Sequence, residues 1–186
     1  MMIEATALKK GLKIAIDGVP YEVIDFQLVH LGRGRGHVRA RLKNLKTGAV
    51  WEKTFDSSVQ FEEPDLTRRK MQFLYENQGE FFFMDADTYE QVNISGDILG
   101  DSKYYLIEGE SYEILFFEGE PISVNLPVSV VLEVTYTEPG IKGDSVTNIM
   151  KEAVLQTGLK VRVPLFINVG DKVKIDTRTG EYLGRV

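Results

Sequence analysis

Turn signals interrupt this chain about every eight to twelve residues, and the segments between them are short and rich in Val, Ile, Tyr and Phe. Asp17-Gly18, Asn77-Gln78-Gly79 and Glu118-Gly119-Glu120 are three of these signals. Gly, Asn and Asp favour turns, whereas β-branched and aromatic residues favour strands. Helical patterns are scarce. The spacing therefore predicts an all-β protein built from small antiparallel barrels.

The amino-terminal segments show the strand pattern most clearly. We expect strands at 13–16, 21–26 and 38–45, separated by Asp17-Gly18 and by the glycine-rich stretch 32–36. Residues 37–42 alternate strictly between apolar and polar types. Since neighbouring side chains in a strand point to opposite faces, His37, Arg39 and Arg41 should line one face while the other is buried.

Three units are expected along the chain, because a single core usually organises about 100 to 150 residues and the segment 61–65 reads as a linker. We place the units at 1–64, 65–126 and 127–186. The second should contain hairpins 71–84 and 111–124, with one modest helix around 94–106 between them. The third should begin with an apolar strand at 128–134 and end with a hairpin closed by 177–180.

Charge is unevenly distributed over these units. The formal net charge of the chain is −6, but the three units carry +2, −9 and +1. Between Phe26 and Trp51 there are six basic residues and no acidic one. Because RNA phosphates attract basic surfaces, the outer units are the better candidates for RNA contact.

Cysteine is absent from the sequence. Its absence excludes a disulfide framework, a Cys-ligated zinc and a thiol nucleophile, and it suits a reducing cytosol. No apolar run approaches the ~20 residues that span a bilayer, and the first eleven residues lack the apolar core of a signal peptide. We therefore expect a cytoplasmic protein.

The glycine-rich stretch is the most informative local feature. In it, Gly32, Gly34 and Gly36 alternate with Arg33 and Arg35. Glycines permit close backbone approach, and guanidinium groups stack on bases or grip phosphates. An incidental charge on a solvated hairpin tip is an equal alternative. No Gly-Lys-Ser or Gly-Lys-Thr follows, so this is not a nucleotide-binding loop.

Other candidate sites are weaker. His30 and His37 lack a nearby carboxylate and predict no metal or catalytic role, and Ser57 and Ser58 lack a nucleophile elbow. Asp85, Asp87 and Glu90 lack the spacing of a calcium loop and should form a solvated turn. The aromatic runs at 81–83 and 104–105 should belong to the core, with base stacking as the alternative. Five basic residues of the third unit could form a face that contacts RNA, or could simply lie on the solvent-exposed side of a sheet. They are Lys142, Lys151, Lys160, Arg162 and Arg178.

The whole chain resembles bacterial elongation factor P. The resemblance is carried at the start by 10–14, 17–23 and 38–48, and most specifically near the end by 138–144, 151–153, 157–167 and 176–182. It implies a KOW or SH3-like barrel followed by two oligonucleotide-binding (OB) barrels, arranged in an L. It further implies a factor that binds the ribosome beside peptidyl-tRNA and stimulates peptide-bond formation at proline runs without being an enzyme.

The resemblance also implies roles for particular residues. Arg33 stands at the functional tip, with Gly32, Gly34 and Arg35 shaping the loop against the tRNA acceptor end. Nearby RNA would be held by Arg39, Arg41 and Lys43, and a further RNA or ribosome contact would come from Lys142 and Arg178. No cofactor, metal or small-molecule substrate is implied, and a monomer is expected.

Modification of the tip is a further implication of the resemblance. Lysine relatives receive a β-lysyl group at this position, which a guanidinium excludes, whereas some arginine relatives are rhamnosylated. Their loops usually have proline before the glycine and asparagine or serine after the arginine, where this chain has Leu31 and Gly34. A rhamnosylated Arg33 and an unmodified one both stay open.

Two rival functions also stay open at the level of sequence. A general single-stranded RNA-binding or RNA-chaperone protein built on the same barrels would bind free RNA strongly and in a salt-sensitive way. A small hydrolase or metalloprotein would depend on His30 or His37.

Overall fold

The computed structural model describes residues 1–29, 34, 36–140 and 150–186, which form three antiparallel sheets. The all-β prediction is confirmed. The first barrel has six strands in the spatial order β1-β6-β2-β3-β4-β5. Their bounds are β1 Met2–Glu4, β2 Lys13–Ile16, β3 Val19–Val29, β4 His37–Asn44, β5 Val50–Asp56 and β6 Gln60–Glu62.

The second barrel has five strands in the order β11-β10-β7-β8-β9, with its two edge strands in contact. Their bounds are β7 Leu66–Asn77, β8 Glu80–Asp85, β9 Gln91–Ser95, β10 Ser111–Phe117 and β11 Glu120–Asn125. Its core is largely aromatic, because Phe73, Phe81, Phe83 and Phe116 all point inward.

The third barrel has five strands in the order β14-β13-β12-β15-β16, and its edge strands β14 and β16 also approach each other. The bounds are β12 Ser129–Thr137, β13 Met150–Leu155, β14 Lys160–Pro164, β15 Lys172–Asp176 and β16 Tyr182–Arg185. In β12, Val130, Leu132 and Val134 are buried and alternate with exposed residues, as one-sided burial of a strand requires.

The three turn signals that dominate the sequence close tight hairpins. Asp17-Gly18, Gln78-Gly79 and Glu118-Gly119 each place two successive residues at positive φ, between 50° and 81°. This conformation matches the twist of paired strands, and glycine adopts it without a steric penalty. These dipeptides therefore set the register of β2 with β3, β7 with β8 and β10 with β11.

The helix expected around 94–106 is shorter than predicted. Helix α1 covers Gly96–Leu99 and begins at Ser95, whose Oγ accepts the Asp97 N–H at 3.1 Å. A 3-10 helix, Gly100–Tyr105, follows at once. The α-helix ends because Gly100 has φ 58° and ψ −135°, a conformation that side-chain-bearing residues avoid. No helix in the described part of the chain is long and apolar enough to cross a membrane.

Apolar contacts join neighbouring barrels. Leu45, just after β4, is 1% exposed and packs against Leu115, Phe117 and Ile122 of the second barrel. Tyr105, at the end of the 3-10 helix, packs into the core of the third barrel. The helical segment 96–105 of the second barrel therefore lies where it can meet both neighbours.

Truncation of Leu45 should weaken the first of these contacts. We expect Leu45→Ala to lower the free energy of unfolding by about 2 to 4 kcal/mol, because it leaves a cavity at a site closed on all sides. Urea denaturation followed by circular dichroism measures the loss. The matched control is Leu28→Ala on β3, where the side chain is 47% exposed and the loss should stay below about 1 kcal/mol. Equal losses in the two variants would contradict this account.

Candidate nucleic-acid interface

The outward face of β4 presents two guanidinium groups. Arg39 and Arg41 are exposed, while Val38, Ala40 and Leu42 between them are buried, as the alternation of the sequence predicts. Arg39 Nε lies 3.3 Å from Glu52 Oε1, but both side chains are more than half exposed. Such a surface ion pair is weak and exchanges readily for a phosphate. No ion pair to Arg41 is found among the described residues.

The predicted tip loop connects the ends of β3 and β4. Val29 pairs with His37 at this end of the barrel, so Arg39 and Arg41 follow the loop directly along β4. Within the loop the structure describes Gly34, which is exposed. The predicted residues Gly32, Arg33 and Arg35, together with His30, lie outside the described residues.

Lys43 is placed differently from the prediction. Strict alternation would put it on the exposed face with Arg39 and Arg41, yet it is 8% exposed. The second barrel covers this end of β4, and a Cβ built on Gly100 would lie 2.8 Å from Lys43 Nζ. A side chain buried in this way has little surface left for RNA, so the basic face of β4 consists of Arg39 and Arg41.

The surroundings of Lys43 are acidic. Desolvation by the second barrel lowers the pKa of its ammonium group, while the nearby carboxylates of Glu22, Asp101 and Asp97 oppose that shift. Glu22 is the cross-strand partner of Lys43 on β3, and the two aspartates belong to the second barrel. Carboxylates of both barrels therefore act on the ammonium group electrostatically, although Lys43 forms no ion pair with them among the described residues.

On the third barrel, the candidate Arg178 is tied to its own hairpin. Arg178 donates to the Asp176 carboxylate from Nε at 3.2 Å and from Nη2 at 3.0 Å, and its backbone N–H donates at 2.7 Å. These contacts hold the pKa of the Asp176 carboxyl below its usual range. The guanidinium is still 70% exposed, so it remains accessible while its charge is largely compensated.

The other basic candidates of the third barrel differ in placement. Lys142 lies outside the described residues. Lys151 is 9% exposed and donates to the Glu138 carbonyl at 2.6 Å, so it is a buried structural lysine. Lys160 and Arg162 are exposed on β14.

An exposed aromatic residue on the third barrel was missed in the sequence. Phe166 is 57% exposed, and the Arg185 guanidinium lies 5.2 Å from its ring centre. Barrels that bind single strands use such aromatic and guanidinium surfaces to stack bases. The signal in the sequence was only a phenylalanine in an apolar segment, which is more typical of a core.

The remaining clusters have structural roles. The Asp85 carboxylate accepts the N–H groups of Asp87 and Thr88 and, with Glu90, binds Arg69 Nη2, which makes the predicted solvated turn. Ser58 donates to the Asp56 carboxylate from its hydroxyl and its N–H. In the described part of the chain, no three His, Cys, Asp or Glu residues converge in a way that could hold a metal ion.

The aromatic runs divide between the core and the surface. Phe81 and Phe83 are buried in the second barrel, while Phe82 on the opposite face stacks on Tyr75 with ring centres 4.8 Å apart. Tyr105 is buried in the third barrel, and the Tyr104 carbonyl accepts the Thr157 hydroxyl at 2.6 Å. The core prediction is thus confirmed for Phe81, Phe83 and Tyr105, although Tyr105 serves the core of another barrel.

Comparison with known families accounts for the whole arrangement. The descriptions "Elongation factor P (EF-P) KOW-like domain", "Elongation factor P (EF-P) OB domain" and "Elongation factor P, C-terminal" match residues 4–61, 66–124 and 130–185. Each match falls on one of the three sheets. The fold and its basic amino-terminal face thus define a translation elongation factor. The chain belongs to the elongation factor P family.

Individual relatives agree over the full length. Elongation factor P of Thermotoga maritima is 50% identical over 184 residues, covering 99% of this chain and 100% of the relative. That of Caldanaerobacter subterraneus subsp. tengcongensis is 50% identical over 186 residues and covers both chains completely. That of Maridesulfovibrio salexigens is 46% identical over 184 residues, or 99% of each chain.

Among solved structures, the chain is similar to "Eukaryotic translation initiation factor 5A from Methanococcus jannaschii". The TM-score is 0.48 at 24% identity, and the match covers 67% of this chain and 92% of that one.

The Asp176 hairpin should make the protein sensitive to acid. Because the folded-state pKa of Asp176 is depressed, its carboxylate stabilises the fold above the unfolded value of about 3.9, and that stabilisation is lost as the pH falls through the lower folded pKa. We therefore expect Asp176→Asn to be less stable than the native chain near neutral pH and to lose less stability on acidification. Thermal unfolding midpoints from pH 7 down to pH 2 measure both effects. Asp65→Asn, at an exposed position, is the control and should parallel the native chain; a parallel curve for Asp176→Asn would contradict the assignment.

Proposed function

We propose that this elongation factor binds the ribosome beside peptidyl-tRNA and stimulates peptide-bond formation, especially at proline runs, by positioning the tRNA. The observation that carries the proposal is the exposed guanidinium pair Arg39 and Arg41 on β4, which follows directly from the loop that contains Arg33. Three basic side chains in one stretch of chain suit the phosphates near the acceptor end of a tRNA. Gly32, Gly34 and Arg35 would shape the loop for that approach.

The net charges of the three units support an orientation in which the first barrel faces the tRNA. The unit 1–64 carries +2 and the unit 65–126 carries −9, so the first barrel would face RNA while the second is repelled by it. The unit 127–186, at +1, would supply a second contact through Lys142 and the exposed Arg178. An L-shaped arrangement of the three units would let the two outer barrels reach different parts of the same tRNA.

The proposed mechanism leaves the chemistry to the ribosome. Proline is a poor partner in peptide-bond formation because its ring restricts the approach of the reacting groups. A factor that holds the peptidyl-tRNA in a reactive orientation lowers the entropic part of the barrier without supplying an acid or a base. The protein would accordingly act as a cytoplasmic, monomeric, non-enzymatic factor without a cofactor, whether or not Arg33 is rhamnosylated.

Charge reversal at the tip should abolish the stimulation. We expect Arg33→Glu to lose rescue of proline-run stalling in a reconstituted translation assay, and Arg41→Glu to reduce it at least about tenfold, because each places a carboxylate against phosphate. Circular dichroism should show an unchanged fold, since Arg41 is exposed.

The matched control is Lys10→Glu on the same barrel. The neighbouring Gly11 N–H donates to the Val23 carbonyl, which places Lys10 about 20 Å along β3 from the loop at ~3.3 Å per residue. This variant should keep native rescue. Full rescue by Arg33→Glu would exclude Arg33 as the functional tip.

Binding to free RNA distinguishes the proposal from a general RNA chaperone. The exposed basic face of β4 contains only two described arginines, and the chain has a net charge of −6. We therefore expect the native chain to bind a free single-stranded oligonucleotide only weakly at 150 mM salt, with a dissociation constant above about 100 μM. Fluorescence anisotropy measures this. Tight binding with a steep salt dependence would favour the chaperone and contradict the ribosomal factor.

A further inference from the structure

The burial of Lys43 gives this residue a role that its position in a basic segment does not suggest. Along β4, odd-numbered residues point outward and Arg39 and Arg41 are exposed, but Lys43 is 8% exposed. Strand alternation alone would leave this side chain in solvent. We infer that the second barrel, which approaches Lys43 at Gly100, accounts for its burial.

The contact partner is the segment in which α1 passes into the 3-10 helix. A Cβ on Gly100 would lie 2.8 Å from Lys43 Nζ, so the absence of a side chain at Gly100 makes room for the ammonium group. Asp97 and Asp101 lie on either side of Gly100 in sequence and act on the same ammonium group. Glu22 of the first barrel, the cross-strand partner of Lys43, also acts on this group electrostatically, while its carboxylate lies 3.9 Å from Lys13 Nζ.

Other contacts between the first and second barrels lie close to Lys43, but they constrain the angle between the barrels less. Leu45 packs in an apolar cluster, and apolar contact is non-directional. Lys46 Nζ lies 3.9 Å from Glu118 Oε2, where the carboxylate is 72% exposed, so the pair is weak. A Cβ on Gly48 would lie 3.1 Å from the Asp97 backbone, which marks a close approach of the two barrels. Lys43 is the buried charge in this interface, and a buried charge tolerates few arrangements.

We propose that Lys43 is a positioning residue whose buried side chain, packed against Gly100 of the second barrel, sets the angle of the first barrel on the second. The apolar cluster supplies attraction, and the lysine selects one orientation. This role concerns the free protein and does not depend on the proposed action at the ribosome.

Because β4 is long, a small change in the angle between the first and second barrels displaces the loop end of this strand. Lys43 lies at one end of the strand and His37 at the other, about 20 Å away at ~3.3 Å per residue. A tilt of about 10° at Lys43 moves the loop end of β4 by about 3 to 4 Å, whereas positioning of reacting groups is sensitive to displacements of about 1 Å. The orientation at Lys43 would thus decide where the arginines of the first barrel are presented.

The absence of cysteine from the chain allows a direct test. Cysteines introduced at the exposed positions Thr54 on β5 and Ala86 in the β8–β9 turn would carry the only two spin labels. Electron double-resonance spectroscopy then measures the distance between the first and second barrels. Into this labelled chain we would introduce Lys43→Met, Lys43→Arg, Asp101→Asn and the control Lys10→Met at an exposed lysine of the first barrel.

We expect a single narrow distance distribution for the native chain and for Lys10→Met. Lys43→Met should shift its mean by about 3 Å or at least double its width, because the buried ammonium group is gone while the side-chain length is kept. Lys43→Arg should restore most of the native distribution by returning the charge. Asp101→Asn should broaden the native distribution but should add nothing to Lys43→Met, since the two residues act through one interaction.

The opposite results would overturn the proposal. A Lys43→Met distribution that superimposes on the native one would show that the apolar cluster alone fixes the angle. Additive effects of Lys43→Met and Asp101→Asn would show that the two groups act separately. Asp101 is exposed and belongs to the second barrel, so Asp101→Asn can be measured even if Lys43→Met unfolds the first barrel. An Asp101→Asn distribution that superimposes on the native one would then overturn the proposal.

Discussion

Leu45 marks the place where the first barrel meets the second, and its side chain is almost completely enclosed by Leu115, Phe117 and Ile122. Units of about 60 residues bury a smaller fraction of their surface on folding than larger domains do, so contacts between them matter to the whole chain. Once Leu45 is covered, the end of β4 is covered as well. That closure buries Lys43 and leaves Arg39 and Arg41 as the exposed basic face.

The segment from Gly96 to Tyr105 has a comparable role inside the second barrel. Its middle approaches Lys43 of the first barrel at Gly100, and its end enters the core of the third barrel through Tyr105. One short helical connection therefore touches both neighbours. The two outer barrels are therefore each in contact with the same short segment of the middle one.

The three barrels differ in net charge. The middle unit carries most of the excess negative charge, and two of its aspartates lie beside the buried lysine of the first barrel. In the first barrel, the described basic residues are divided, because Arg39 and Arg41 face solvent while Lys43 and Lys46 approach the second barrel. A basic segment that looks uniform in sequence thus includes both a solvent-exposed basic face and part of an interface between barrels.

The sequence by itself determined the all-β class, the hairpins at Asp17-Gly18, Gln78-Gly79 and Glu118-Gly119, and the alternation that exposes Arg39 and Arg41, because these features depend on neighbouring residues and local backbone preference. It also carried the family resemblance. Only the tertiary structure decided that Lys43 is buried against Gly100 and that Tyr105 belongs to the core of the third barrel. Both outcomes arise from contacts between residues more than fifty positions apart or in different barrels. Strand periodicity describes which face a side chain occupies, but it holds no information about what another barrel will place over that face.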